Sequence, residues 1–274
     1  MSSMEISNLT LGTLRKMFAE GKRFDSRALE DYRDVTIEYD VSNKAEGSAR
    51  VRLGKTEVIV GVKLAIGEPF PDSPDKGNLI VSADLLPLAS PRFEMGPPKF
   101  DAVELPRIVD RGIRESGMID FSKLVVKKGE KVWSIFIDIY PINDDGNIID
   151  AAAIASVAAL RSAVLPKVDE ENNVDYETHT KTKLPLSEET MPLVFSFFKL
   201  GDSLVLDPTR EEEEACETRI CFGVSKWNKD YMINSCQKSG KDGSTPLTSE
   251  EIEKIMEMLP KKFDELSKKL KKYL

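Results

Sequence analysis

Residues 56–66 read Thr-Glu-Val-Ile-Val-Gly-Val-Lys-Leu-Ala-Ile. Val58, Val60, Val62, Leu64 and Ile66 alternate with less apolar residues, which predicts a strand with one buried face. Gly54-Lys55 suits the turn before it. Residues 78–86 predict another strand, reached through a turn-rich loop at 69–77. Further on, 123–127 and 131–140 flank Lys128-Gly129-Glu130 as the arms of a hairpin, with Trp133, Ile135, Ile137 and Ile139 on one side. Asp144-Asp145-Gly146-Asn147 reads as a turn. A small-residue helix follows over 150–164, with Asp150 as its N-cap. Upstream, Leu11, Leu14, Met17 and Phe18 make a short amphipathic helix that Gly21 stops. Downstream, 193–200, 203–207, 220–225 and 231–236 supply a second set of strands. A last helix over 249–274 carries Ile252, Ile255, Met256, Leu259, Phe263, Leu266 and Leu270 on one stripe, and Pro260 is expected to kink it. Strands, helix, hairpin, helix, then strands and helix again predict two α+β halves rather than an alternating doubly wound sheet. The polar stretch 166–192 has little periodicity and reads as a linker.

The chain has 274 residues, 41% hydrophobic and 31% charged, enough for a substantial core. Its net charge is −8, from 39 Lys+Arg and 47 Asp+Glu, so any binding of nucleic acid must be local. Cys216, Cys221 and Cys236 form no C-x-x-C pair, which argues against structural zinc and for a reducing compartment. His179 is the only histidine, in a polar stretch that reads as loop, so Ser-His-Asp, Cys-His and His-rich metal chemistry have no support. No apolar run approaches the ~20 residues of a membrane span, and the N-terminus has no signal-peptide core. A soluble, cytoplasmic protein is the expectation.

One segment departs from the acidic background. Residues 104–114 read Glu-Leu-Pro-Arg-Ile-Val-Asp-Arg-Gly-Ile-Arg. Arg107, Arg111 and Arg114 recur at i, i+4 and i+7, which puts all three on one helix face. Leu105, Ile108, Val109 and Gly112 fall on the opposite face. A phosphate backbone accepts the guanidinium fork, so a polyanion is one partner for the stripe. The other reading is a solvated, ion-paired face: Glu104 precedes Arg107 by three, Asp110 precedes Arg114 by four, and Glu115 follows Arg111 by four. Such pairs contribute only ~0.2–0.5 kcal/mol each.

Two further segments bear on chemistry. Asp207-Pro-Thr-Arg-Glu-Glu-Glu-Glu214 follows a predicted strand, where carboxylates can hold Mg²⁺ or form a solvated acidic turn. Asp150-Ala-Ala-Ala-Ile154 opens a helix, a natural place for an anion, but its cap is an acid and its neighbours carry neither base nor hydroxyl. There is no G-x-x-x-x-G-K-[ST] loop and no G-x-G-x-x-G after a strand. Aromatics, at 7%, do not interleave with basic residues as a base-stacking platform requires.

In this order and spacing the segments resemble the RNase PH family of phosphorolytic 3′-to-5′ exoribonucleases over most of the chain. Arg23-Phe-Asp-Ser-Arg27 is similar to the family's Arg-x-Asp-Gly-Arg. Gly47-Ser-Ala-Arg-Val51 through Thr56-Glu-Val-Ile-Val60 is similar to its Gly-Ser-Ala-x-Val and Gly-x-Thr-x-Val strands, and 104–111 to its RNA-contacting helix. The resemblance is nearest to the branch of the archaeal-type exosome ring that lacks its own active site. Catalytic members resemble Asp-Gly-Gly-Thr-Arg at the phosphate-binding helix start. Laid on Asp150-Ala-Ala-Ala-Ile154, that pattern puts Ala153 in place of the hydroxyl and Ile154 in place of the arginine. A phosphate there loses a charge-assisted partner, about 1.5–3 kcal/mol. Catalytic members also look like Asp, a second Asp six residues on, and a third downstream. Here those places hold Asp207, Glu213 and, near the third, Arg219.

The resemblance implies an α+β fold of two similar β-sheet-plus-helix halves of RNase PH type, the first like domain 2 of ribosomal protein S5. It implies an N-terminal helical extension at 1–30, a first half at 31–166, a polar connecting segment at 167–191 and a second half at 192–274 with the C-terminal helix. It implies a hetero-hexameric ring with a catalytic RNase PH-like subunit, cap subunits of S1/KH type, single-stranded RNA as ligand and no membrane. Arg107, Arg111 and Arg114 are then expected to hold RNA phosphates. The chain is expected to have no catalytic residue, bound metal or cofactor of its own, with inorganic phosphate and Mg²⁺ at the partner's site. A degenerate but active phosphorolytic exoribonuclease, and an α+β interaction protein unconnected to RNA, stand as the alternatives.

Overall fold

A computed structural model describes residues 6–169, 174–240 and 245–274. The elements run α1 Asn8–Ala19, β1 Val35–Tyr39, β2 Gly47–Leu53, β3 Thr56–Gly67, β4 Asn78–Ala83, α2 Phe100–Ser116, β5 Val125–Lys127, β6 Lys131–Asn143 and α3 Ile148–Ser162. They continue with β7 Val164–Val168, β8 Val174–Lys183, β9 Leu193–Leu200, β10 Ser203–Leu206, α4 Arg210–Ala215, β11 Thr218–Trp227, β12 Asp230–Gly240 and α5 Ser249–Leu270.

The first sheet has the order β1-β2-β3-β6-β4, with β5 paired to β6, and the second the order β10-β9-β11-β12. Among the described residues only β4 and β6 pair in parallel. In β3 the alternation is realised: Val58, Val60, Val62 and Leu64 are buried, and the residues between them are half-buried. Ile135, Ile137 and Ile139 of β6 are buried opposite them. β9 is buried at every position, because it is covered on both faces. α2 packs on β4 and on β9, β11 and β12, and α3 on β2, β3 and β9. The two helices therefore form a layer shared by both sheets, and α5 covers the far side of the second sheet through Phe263 against Phe195 and Tyr231. One continuous apolar core runs through both halves.

The small residues of α3 set how closely these layers approach. Ala151, Ala152, Ala155, Ala158 and Ala159 are all fully buried. Gly47 sits against the helix's last turn, where a Cβ would lie 2.4 Å from the Ala159 carbonyl oxygen. The Ser48 amide next to it donates to Ser162 Oγ at 3.1 Å. That contact gives the Gly-Ser-Ala motif a physical reason.

Four local readings meet the structure differently. The small-residue helix opens at Ile148, with Asn147 as its cap in a left-handed conformation (φ 55°), so Asp150 lies inside the first turn. The stretch read as linker contains the antiparallel ribbon β7–β8, while 170–173 fall outside the described residues. His179 lies within β8 rather than a loop. Alternating hydroxyl and charged residues on a two-stranded ribbon show no apolar period, which is why the sequence hid it. Pro260 sits inside an uninterrupted α5. Among the described residues no helix is long and apolar enough to cross a membrane.

Candidate nucleic-acid interface and the altered phosphate site

α2 buries Leu105, Ile108, Val109, Gly112 and Ile113 and turns Arg107 and Arg111 to solvent. Its hydrophobic period explains the orientation, since the apolar positions fall within one broad face. Among the described residues neither Arg107 nor Arg111 has an ion-pair partner, and two of the stripe's three acids are engaged elsewhere. Glu104 is buried and pairs with Arg219 of β11, and its other oxygen accepts from Gln237 Nε2 at 3.2 Å. Asp110 is taken in bidentate fashion by Arg114, at 2.6 and 3.1 Å. Arg114 also donates to the Leu79 carbonyl of β4 at 2.9 Å. Arg114 is thus committed to contacts within the fold, unlike the other two. The expected Asp110–Arg114 pair is present, and the expected Glu104–Arg107 pair is not.

Beside α2 lies a small cleft of about 50 Å³, lined among others by Glu104, Arg92, Asn147, Ile148, Ile149 and Glu213. Its floor is the N-terminus of α3. Ala153 and Ile154 are not there. They lie in the second turn, buried in the core, beyond the free amides of the first turn. The family's Asp-Gly-Gly-Thr-Arg pattern instead meets the helix mouth when set on Asp145-Gly146-Asn147-Ile148-Ile149, five residues earlier. Asp145-Gly146 then matches outright. Asn147 takes a left-handed conformation that suits glycine, the hydroxyl position is Ile148 and the arginine position is Ile149. The Asp-Gly dipeptide was the signal that could have placed it. Gly146 is required at φ 87°, because a Cβ would lie 2.5 Å from the Pro208 carbonyl oxygen.

The anion position at this mouth is filled by the chain itself. Glu213 Oε2 accepts from the Asn147 backbone N–H at 2.6 Å. A carboxylate is a natural occupant of a helix N-terminus, for the reason a phosphate is. Arg92 stands 3.8 Å from Glu213 and 2.9 Å from Asp144.

Asp207, the first acid of the degenerate motif, is fully buried and saturated with donors. Arg33 donates to both of its oxygens, at 2.7 and 2.9 Å, and Arg27 and Asn147 Nδ2 add bonds at 3.1 and 3.0 Å. Arg23 forms a buried pair with Glu212 and donates to the Asp207 carbonyl at 2.8 Å. Three arginines from the segment before β1 therefore bind the turn between β10 and α4. An Asp207 used this way, a Glu213 spent on an amide and an Arg219 near the third place do not fit a magnesium ion, which needs free carboxylate oxygens.

Asp150 has a structural role that its sequence position does not announce. It is fully buried and accepts from Tyr32 Oη at 2.7 Å, Ser196 Oγ at 2.6 Å and Asn147 Nδ2 at 3.0 Å. Burial pushes its carboxyl up to about 6, against the lowering effect of those bonds. Burial, and next the Asp150 charge, raise the Tyr32 phenol well above its ordinary value.

Residues 31–166 match the 3′ exoribonuclease family, domain 1, and residues 190–258 match its domain 2. With these two halves in their observed geometry, the chain belongs to the RNase PH family of 3′ exoribonucleases. It is 42% identical to the exosome complex component Rrp42 of Methanosarcina acetivorans over 261 residues, 95% of this chain and 93% of the relative. It is 46% identical to the Thermococcus onnurineus protein of the same name, over 87% of each chain. Among solved structures it is similar to a chain of the Archaeoglobus fulgidus exosome with RNA bound to the active site. There the TM-score is 0.82 and the identity 39%, over 91% of this chain and 93% of that one. A chain of an archaeal exosome core gives the same TM-score at 34% identity, over 96% and 97%.

Proposed function

We propose that this chain is the non-catalytic RNase PH-like subunit of an archaeal-type exosome core. In that role it alternates with a catalytic relative in a hexameric ring, carries cap subunits and holds single-stranded RNA through Arg107 and Arg111. The observation that carries the proposal is a juxtaposition. The helix mouth that would take phosphate is filled by Glu213 and flanked by Ile148 and Ile149, while two unpaired arginines face solvent on the helix beside it. The first excludes phosphate activation by this chain, and the second keeps a grip on a phosphate backbone. Inorganic phosphate and Mg²⁺ then belong to the partner's site.

The purified chain, given labelled RNA, phosphate and Mg²⁺, is expected to release no nucleoside diphosphate. Phosphate-dependent release would establish instead that it is a degenerate but active enzyme. In the assembled complex, changing Arg107 and Arg111 together to Ala is expected to reduce the slope of log K against log salt by about 1.4, at ~0.7 per phosphate of a single strand. An unchanged slope would remove RNA from the reading of α2.

A further inference from the structure

Arg219 lies near the place of the third acid in the catalytic pattern, and its guanidinium crosses to α2 to pair with Glu104. Glu104 is three residues before Arg107, within side-chain reach on a helix. It lies at the rim of the arginine stripe yet is buried, because Arg219 and Gln237 of the second sheet cap it. At the other end of the stripe Asp110, three residues after Arg107, is withdrawn by Arg114. Each acid that could neutralise Arg107 is therefore held by a different arginine. Glu115, the acid four residues after Arg111, makes no ion pair with it among the described residues.

We infer that Arg219 is a positioning residue for RNA: it sequesters Glu104 and thereby leaves Arg107 with an uncompensated charge to present to phosphate. A residue near a lost catalytic position has, on this view, become a support for binding. The inference rests on the reading of α2 as the RNA-holding helix. Glu104, once released, has one near cation on its own helix, and the pair it would form is the one expected from sequence alone. A neutralised Arg107 displaces no counterion on binding, so its loss appears in the salt slope and not merely in affinity.

The test uses the assembled ring and a single-stranded RNA without sequence preference, with binding measured over a range of salt. Arg219→Met is expected to lower the salt slope by about 0.7, as Arg107→Ala does, and to add nothing in an Arg107→Ala background. Combining Arg219→Met with Glu104→Gln removes the released acid and is expected to restore the original slope. A role confined to stability gives the opposite pattern: losses that add to Arg107→Ala and no rescue by Glu104→Gln. That pattern overturns the inference. If the methionine variant does not assemble, Arg219→Gln, whose shorter neutral side chain leaves the Glu104 charge uncompensated, provides the same contrasts. Should the Arg107→Ala, Arg111→Ala double change leave binding untouched, the RNA reading of α2 itself fails. If that double change weakens binding while Arg219→Met does not, only the present inference fails.

Discussion

At the scale of single residues, Asp150 shows how far a side chain's role can lie from its sequence neighbourhood. Its donors Tyr32 and Ser196 come from positions 118 and 46 residues away, so only the fold could identify them. The consequence is a pH dependence. The folded-state value of about 6 lies above the ordinary 3.8, so the neutral carboxyl contributes stability that is complete below 3.8 and is lost as pH rises through 6. Across that window the protein should lose about 3 kcal/mol relative to its Asp150→Asn variant, whose side chain does not titrate. Urea midpoints measured for both between pH 3.5 and 7, roughly the span of the two values, would show it. Parallel curves would mean that burial does not raise the Asp150 carboxyl above its unfolded value. The same remoteness hides the role of Asn147, which looks like turn filler until its left-handed backbone and its place under Glu213 are seen.

Elements were more legible than residues, in proportion to their apolar period. β3, β6 and α5 could be read from alternation or stripe alone, and the buried face of α2 followed from Leu105, Ile108, Val109 and Gly112. What α2 does with its charges could not be read, because Glu104 finds Arg219 across 115 positions. α3 was legible as a helix of small residues, but its work as a spacer between two sheets needed both sheets in view. That spacing leaves no room at Gly47. Gly47→Ala is expected to cost about 1–3 kcal/mol through overpacking against the Ala159 carbonyl, read as a shifted urea midpoint with an unchanged m-value. An unshifted midpoint would show that β2 can move away from the helix freely.

At the scale of the whole molecule, the two halves have lost their independence. α2 and α3 lie between the sheets and bury surface against both, and Asp207 of the second half is held by Arg33, which also donates to the Asp145 and Gly146 carbonyls of the first. A single calorimetric transition is therefore expected for the chain, despite two family domains in its sequence. Arg33→Met should lower the transition by leaving a buried carboxylate short of its main partner, about 3 kcal/mol, without splitting it in two. Two resolved transitions would show that the shared helical layer does not couple the halves. The two-half plan was legible from the repeated run of strands and helices, whereas this coupling was not, since it rests on polar contacts between segments more than 170 positions apart. The seating of Glu213 on the Asn147 amide has one more consequence, for any attempt to give this chain back its chemistry. An arginine introduced at Ile149 would meet Glu213 before it met phosphate. Removing Glu213 alone would bare an amide whose near cation, Arg92, is already tied to Asp144. Exchanging Arg219 for an acid would set two like charges against each other at Glu104. Each lock is secured by the others, so at the level of single substitutions the retreat from catalysis is a one-way door.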